Sequence, residues 1–182
     1  MNIEPVNIPG VFIVKRDPFS DERGSFARLF CKRELEAAGL SGEIAQVNLS
    51  ANIEVATLRG LHSQNGGEAE DKLVTCIAGA VFDVCVDVRE DSATFGKWYA
   101  EELSADNGLA LYVPKGFAHG YLTLTGSTQV LYFVTQFYMP EAEVGYRYDE
   151  PFFGIDWPLT EPYIISDKDK NWKYLELAGN QK

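Results

Sequence analysis

The sequence predicts an all-β fold, an antiparallel sandwich or jelly roll, formed as a single domain over residues 1–182. Three observations lead there. Short segments rich in Val, Ile, Phe and Tyr recur along the chain, divided by Gly, Pro, Asn and Asp. In one of them Phe82, Val84, Val86 and Val88 alternate with Asp83, Cys85 and Asp87, the period of a strand. Only one stretch carries a helical pattern, which excludes the alternating strands and helices of a Rossmann or TIM architecture.

In chain order, Gly10–Lys15 (GVFIVK) reads as the first strand, Pro18–Gly24 (PFSDERG) as a polar loop and Ser25–Cys31 (SFARLFC) as the second strand. Lys32–Ala38 (KRELEAA) is the one short helix, near the N-terminus, with Gly39 at the position beyond a helix end that glycine favours. Ile44–Ser50 and Val55–Leu61 are further strands. Within Lys72–Arg89, Gly79 divides two strands as in a hairpin. The second of these places Asp83 and Asp87 on the face opposite its valines, either as solvated positions or as partners of a base. Trp98–Leu103, Leu109–Val113, His119–Thr125 and Gln129–Phe137 complete the strands. From about Pro151 the tail is irregular and aromatic. The open edges of a sandwich and the many aromatics point to a dimer.

Composition narrows the function. Apolar residues at 46% and charged residues at 24% are ordinary for a soluble globular protein. No run of ~18 apolar residues spans a membrane, and MNIEPVNIPG does not read as a signal peptide. Three scattered cysteines, Cys31, Cys76 and Cys85, form neither a disulfide framework nor a CxxC zinc pair, so a cytoplasmic location is expected. The net charge of −11 argues against a nucleic-acid partner. An acidic chain binds an anionic small molecule if its cations converge on one cleft, so the placement of Arg23, Arg28, Arg59, Lys72 and Lys168 matters more than the total.

Two histidines occur, His62 in LRGLHSQ and His119 in PKGFAHGY. Two in separate segments do not supply the roughly three-histidine set of a metal-binding jelly roll, so no metal is expected. Imidazole is the natural general base near neutral pH, and a carboxylate behind it fixes its tautomer. Asp83, Asp87 and Asp169 are the candidates for that carboxylate, and the sequence does not pair them. Each histidine also reads as a hydrogen-bonded structural residue. Tyr132 and Tyr138, six apart in LYFVTQFY, fall on one face of a regular strand, either as core aromatics or as acids. The residues give an acid–base pocket of His, Tyr and Lys without a substrate.

Taken in order, FSDERGSF, QVNLS, LRGLHSQ, EDKLVTCIAGAVFDVCVDVR, VPKGFAHGYLTL, LYFVTQFY and FGIDWP resemble the dTDP-4-dehydrorhamnose 3,5-epimerases, cupin-type nucleotide-sugar epimerases. The resemblance covers the chain from Gly10 to Asp169. It implies a cupin-type jelly roll, usually a homodimer, without metal or organic cofactor, acting on a nucleotide-diphosphate sugar. The expected activity is that of an isomerase inverting C3 and C5 of dTDP-4-keto-6-deoxy-D-glucose. By motif position, the resemblance makes His62 the base, Asp169 its orienting carboxylate, Lys72 the stabiliser of the enolate and Tyr132 the acid. It gives His119 and Asp83 a supporting role and places Tyr138 at the sugar. Arg23, Phe26, Gln46, Asn48, Arg59 and Lys168 fall where family members hold the nucleotide diphosphate.

Three positions depart from the family pattern. Ser63 stands where an aromatic residue often follows the histidine, Phe133 where lysine often follows the tyrosine, and Arg28 where glutamate often follows the RGxF turn. All three are expected near ligand contacts and bear on the choice of nucleobase and sugar. The alternatives are epimerisation of one carbon only, another nucleotide deoxy sugar, a metal-dependent oxygenase or isomerase of similar fold, and a non-catalytic binding module.

Overall fold

The structure is a computed structural model that describes residues 1–161 and 163–176. Its strands, in order, are β1 (Asn2–Pro5), β2 (Phe12–Lys15), β3 (Phe19–Asp21), β4 (Gly24–Phe26), β5 (Gln46–Asn52), β6 (Leu58–Gln64), β7 (Lys72–Ala78), β8 (Ala80–Asp87), β9 (Trp98–Ser104), β10 (Leu109–Val113), β11 (Phe117–Thr123), β12 (Thr128–Val134) and β13 (Glu143–Gly145). One sheet runs β1-β2-β10-β7-β12-β5 and the second β13-β6-β11-β8-β9, with every pairing antiparallel. β3 and β4 form a separate hairpin. This is the expected jelly-roll class.

Apolar residues pack on both faces of each sheet, with the outward side chains of β5, Val47 and Leu49, left exposed. Val74, Cys76, Leu111, Val113 and Val130 of the six-stranded sheet meet Val81, Cys85, Leu103, Phe117 and Tyr121 of the five-stranded sheet to form the central core. Leu35, fully buried on the helix α1 (Lys32–Ala37), packs with Val14, Leu73, Ala110 and Tyr112 on the outside of the first sheet. The helix ends as expected: the amide of Gly39 donates to Glu36 O and that of Leu40 to Leu35 O, the pair of bonds that closes a Schellman turn. On the outside of the second sheet, the tail lays Phe153, Tyr146, Ile155 and Trp157 over Leu61, Val84, Val86 and Ala118.

The expected hairpin at Gly79 is not formed. β7 pairs with β10 and β12, whereas β8 pairs with β11 and β9, so the chain crosses between sheets there. A two-stranded turn needs at least two loop residues, and only Gly79 separates β7 from β8. Its φ of +73° turns the chain sharply, and an added Cβ would lie 2.4 Å from Thr125 Oγ1. A related correction concerns the aspartates of β8. Its alternation is as read, but the aspartate face looks between the sheets, and Asp83 and Asp87 are both fully buried rather than solvated.

Two more segments differ. The loop expected at Pro18–Gly24 is largely the β3–β4 hairpin, and the strand expected over Ser25–Cys31 stops at Phe26. The hairpin has no third strand to pair with, so extended pairing ends where β3 ends; Phe30 instead stacks on Phe133 at 5.6 Å. The tail contains a second short helix, α2 (Asp167–Lys170), where only irregular chain was expected. Ser166 begins it by accepting a hydrogen bond from the Asp169 amide at 3.1 Å.

Asp87 ties the far end of β8. It accepts from Arg89 Nε at 2.8 Å, Arg89 Nη2 at 2.7 Å and Thr94 Oγ1 at 2.6 Å. Burial opposes its ionisation, but these donors outweigh burial and hold the carboxyl down to about 2. A depressed folded value contributes stability above the ordinary carboxylate range and loses it as pH falls towards 2. Asp87→Asn is expected to cost about 2 kcal/mol at neutral pH and progressively less below pH ~4, as measured by urea unfolding across that range.

Candidate active site

β6 and β11 lie side by side in the second sheet, and His62 stands directly opposite His119 across them. Strict alternation would send Arg59 and His62, three apart, to opposite faces. The register instead shifts, so that Tyr121 pairs with Arg59 while His119 pairs with His62. β6 thus spends three steps against two on β11, a bulge that turns Arg59 and His62 to the same side. The bulge needs the strands almost in contact. A Cβ on Gly60, at φ +106°, would lie 2.7 Å from His119 O, and one on Gly120 would lie 2.6 Å from Arg59 O.

Each histidine has its own carboxylate. His62 Nε2 donates to Asp169 Oδ1 at 2.6 Å, which leaves Nδ1 as the nitrogen able to take a proton. Asp169 is buried on α2, and its second oxygen accepts the Gly60 amide at 3.3 Å. Burial alone would raise the Asp169 carboxyl; the interaction with His62, with the Gly60 and Ser166 contacts, outweighs it and holds the carboxyl below its ordinary value. His119 Nε2 lies 2.9 and 3.0 Å from the two oxygens of Asp83, with both residues buried.

The opposite sheet supplies the remaining groups. Tyr132 of β12 meets the His119 ring edge-on at 6.0 Å and lies 6.4 Å from the Tyr121 ring. Burial first, then the neighbouring Tyr121 hydroxyl, pushes the Tyr132 phenol well above its ordinary value. Lys72, at the start of β7, places its ammonium 3.2 Å from Glu70, and both side chains are about nine-tenths enclosed. His62, His119, Tyr132, Lys72, Arg59, Asn48, Lys168 and Asp169 line one cavity of about 770 Å³ between the sheets. Gln46 and Tyr138 line an adjoining recess that shares Asn48, Lys72 and Tyr132 with it. An imidazole on one sheet faces a phenol and an ammonium on the other, side-chain types able to accept a proton, donate one and stabilise negative charge beside a carbonyl.

The dTDP-4-dehydrorhamnose 3,5-epimerase family model matches residues 5–176. The chain is 43% identical over 171 residues to the dTDP-4-dehydrorhamnose 3,5-epimerase of Escherichia coli strain K12, covering 93% of this chain and 92% of that one. The chain belongs to the dTDP-4-dehydrorhamnose 3,5-epimerase family. Solved family structures superpose closely. The enzyme from Bacillus anthracis, crystallised with TDP and PPi bound, gives a TM-score of 0.92 at 39% identity, over 96% of this chain and 99% of that one. A dTDP-6-deoxy-D-glucose-3,5-epimerase from Legionella pneumophila, in complex with dTDP-4-keto-L-rhamnose, gives 0.91 at 40% identity, over 97% and 94%.

Set against the family pattern, two of the three departures point away from the cavity. Ser63 is buried on the face of β6 opposite His62, towards the tail. Phe133 follows Tyr132 and so faces outward, in the cluster with Leu35 and Leu73. Arg28 sits beyond the β3–β4 hairpin and pairs with Glu34 at 3.2 Å, outside the cavity of its own chain. Arg23 and Phe26 are not brought to that cavity either. They line a small recess of the exposed hairpin, where Arg23 pairs with Asp21 at 2.6 Å. The shared strand face expected for Tyr132 and Tyr138 is also corrected: β12 ends at Val134, and Tyr138 lies in the chain that follows. Its hydroxyl donates to Glu143 at 2.7 Å, and Lys168 donates to the same oxygen at 2.6 Å. Glu70, Glu143 and Asn52 escaped the sequence reading. Glu70 alone had a local signal, a carboxylate two residues before Lys72.

Proposed function

We propose that the chain epimerises C3 and C5 of dTDP-4-keto-6-deoxy-D-glucose, giving dTDP-4-keto-L-rhamnose, as an isomerase that uses its own side chains as acid and base. The observation that carries this reading is the His62–Asp169 pair on one wall of a cavity whose opposite wall bears Tyr132. The ketone at C4 acidifies the hydrogens at C3 and C5, because the electron pair left behind delocalises onto O4. His62 Nδ1 removes the proton while Asp169 holds the ring and stabilises the imidazolium. The Lys72 ammonium lies against the growing negative charge on O4. The enolate then takes a proton from the Tyr132 hydroxyl on the other face, which inverts the carbon. Exchange with solvent restores both groups.

The diphosphate carries about two negative charges, a match for Arg59 and Lys168 with Asn48 and Gln46 beside them. Tyr138 borders the same recess. Arg23 and Phe26 serve a nucleotide site only if a partner copy supplies one, which fits a homodimer. The exposed β5 edge, with Val47 and Leu49 more than half exposed, and the hairpin, with Phe26 at 75%, are the surfaces such a dimer would cover. Among the described residues no helix is long and apolar enough to cross a membrane, and the proposed location is the cytoplasm.

Incubation with dTDP-4-keto-6-deoxy-D-glucose in D₂O, read by proton NMR and mass spectrometry, tests the reaction. Deuterium at both C3 and C5 with inversion at each is the expected result. Label and inversion at a single carbon would make the chain a mono-epimerase, and no label above a no-enzyme control would remove this substrate.

A further inference from the structure

We infer that Asn52 is a positioning residue that presents Arg59 to the substrate's diphosphate, given the nucleotide-sugar reading above. Asn52, at the end of β5, is buried, and its Oδ1 accepts from Arg59 Nε at 2.8 Å and from the Tyr121 hydroxyl at 3.2 Å. Its amide nitrogen donates to Thr128 O at 3.3 Å. Arginine only donates and a backbone carbonyl only accepts, so these contacts fix the amide in one orientation. The Tyr121 hydroxyl is held in turn by Ser50 Oγ at 2.8 Å.

Two consequences follow for Arg59. Among the described residues, Nε is the only guanidinium nitrogen of Arg59 with a hydrogen-bond partner, so Asn52 takes the side of the fork and leaves the two terminal nitrogens for an incoming ligand. That end-on pair matches two oxygens of a phosphate. The second consequence is electrostatic. Among the described residues Lys72, Lys168 and Arg23 each pair with a carboxylate, whereas Arg59 pairs with none. An amide orients the guanidinium as a carboxylate would but leaves its charge undiminished for the anion.

Calorimetric titration with dTDP tests this on the full chain and on Asn52→Ala, Asn52→Asp, Arg59→Ala and the Asn52→Ala/Arg59→Ala pair. Asn52→Ala is expected to weaken dTDP about tenfold, and to change affinity less than about twofold once Arg59 is alanine. In turnover assays its effect should fall on KM rather than kcat; a purely structural role would lower kcat through lost active protein. Asn52→Asp keeps the acceptor for Arg59 but loses the donor to Thr128 O and adds a charge, and should weaken dTDP by at least about threefold. Native affinity in either Asn52 variant, or an undiminished Asn52→Ala effect in the Arg59→Ala background, overturns the inference. If the unaltered chain takes up no dTDP at millimolar concentration, the nucleotide reading itself fails and the positioning role falls with it.

Discussion

His62→Ala is expected to lower turnover roughly 10²- to 10⁴-fold while dTDP affinity stays within about threefold of native. The separation follows from where the residue sits. His62 faces the cavity and bonds to Asp169, whereas the cations proposed for the diphosphate, Arg59 and Lys168, are held by other residues, Asn52 and Glu143. Removing the imidazole therefore takes away the proton acceptor and leaves the binding contacts in place. Solvent deuterium exchange into the sugar should fall by the same factor as turnover, because abstraction precedes both. A variant that kept native turnover would remove His62 from the base role. One that lost dTDP binding in proportion to turnover would make the residue a binding group instead.

The same substitution has a signature in stability. Asp169 is held below its ordinary value chiefly by His62 acting against burial. Its contribution to stability is therefore present above the ordinary carboxylate range and lost as pH falls through the lowered folded value. Without His62 burial is less opposed, the folded value rises, and that acid-side contribution shrinks. On a titration from neutrality to about pH 3, the thermal midpoint of His62→Ala should therefore fall by less than that of the native chain. Coincident profiles would mean that the His62–Asp169 bond does not stabilise the ionised carboxylate.

The β-rich class was legible because it rests on short-range pattern. Strand periodicity in β8, the turn residues between segments and the single amphipathic helix each report on a few neighbouring residues. What lay beyond the sequence is pairing. His62 and Asp169 are 107 residues apart, and nothing local joins them. The motif resemblance proposed both for one site, and the fold brings them into contact. The bulge in β6 is a second case, since counting residues places Arg59 and His62 on opposite faces and only the approach of Gly60 to Gly120 reverses this. Gly79 is a third: one glycine between two strands reads as a turn, but one residue is too short for a hairpin. The departures at Ser63 and Phe133 show the converse limit. Each adjoins a functional residue in sequence, and for that reason each faces away from it in a strand.

Tyr132→Phe is expected to separate two events that His62→Ala removes together. The substitution deletes one hydroxyl and leaves the ring against His119 and Tyr121. His62 still abstracts the proton and Lys72 still faces the enolate, so deuterium should enter the sugar from the His62 face. Without the phenol on the opposite face, that label returns with the configuration retained, and formation of inverted product should drop about 10²- to 10³-fold. Burial and the adjacent Tyr121 hold the phenol well above its ordinary value, so it keeps its proton throughout the neutral and mildly alkaline range. The loss should accordingly be constant from about pH 6 to 9. Exchange and inversion falling by equal factors would assign Tyr132 to abstraction or binding. An alkaline limb near pH ~8 that vanished in the phenylalanine variant would contradict a buried phenol that stays protonated. Retained exchange with lost inversion would place donor and acceptor on opposite faces of the sugar, in keeping with the positions of His62 and Tyr132 on opposite sheets.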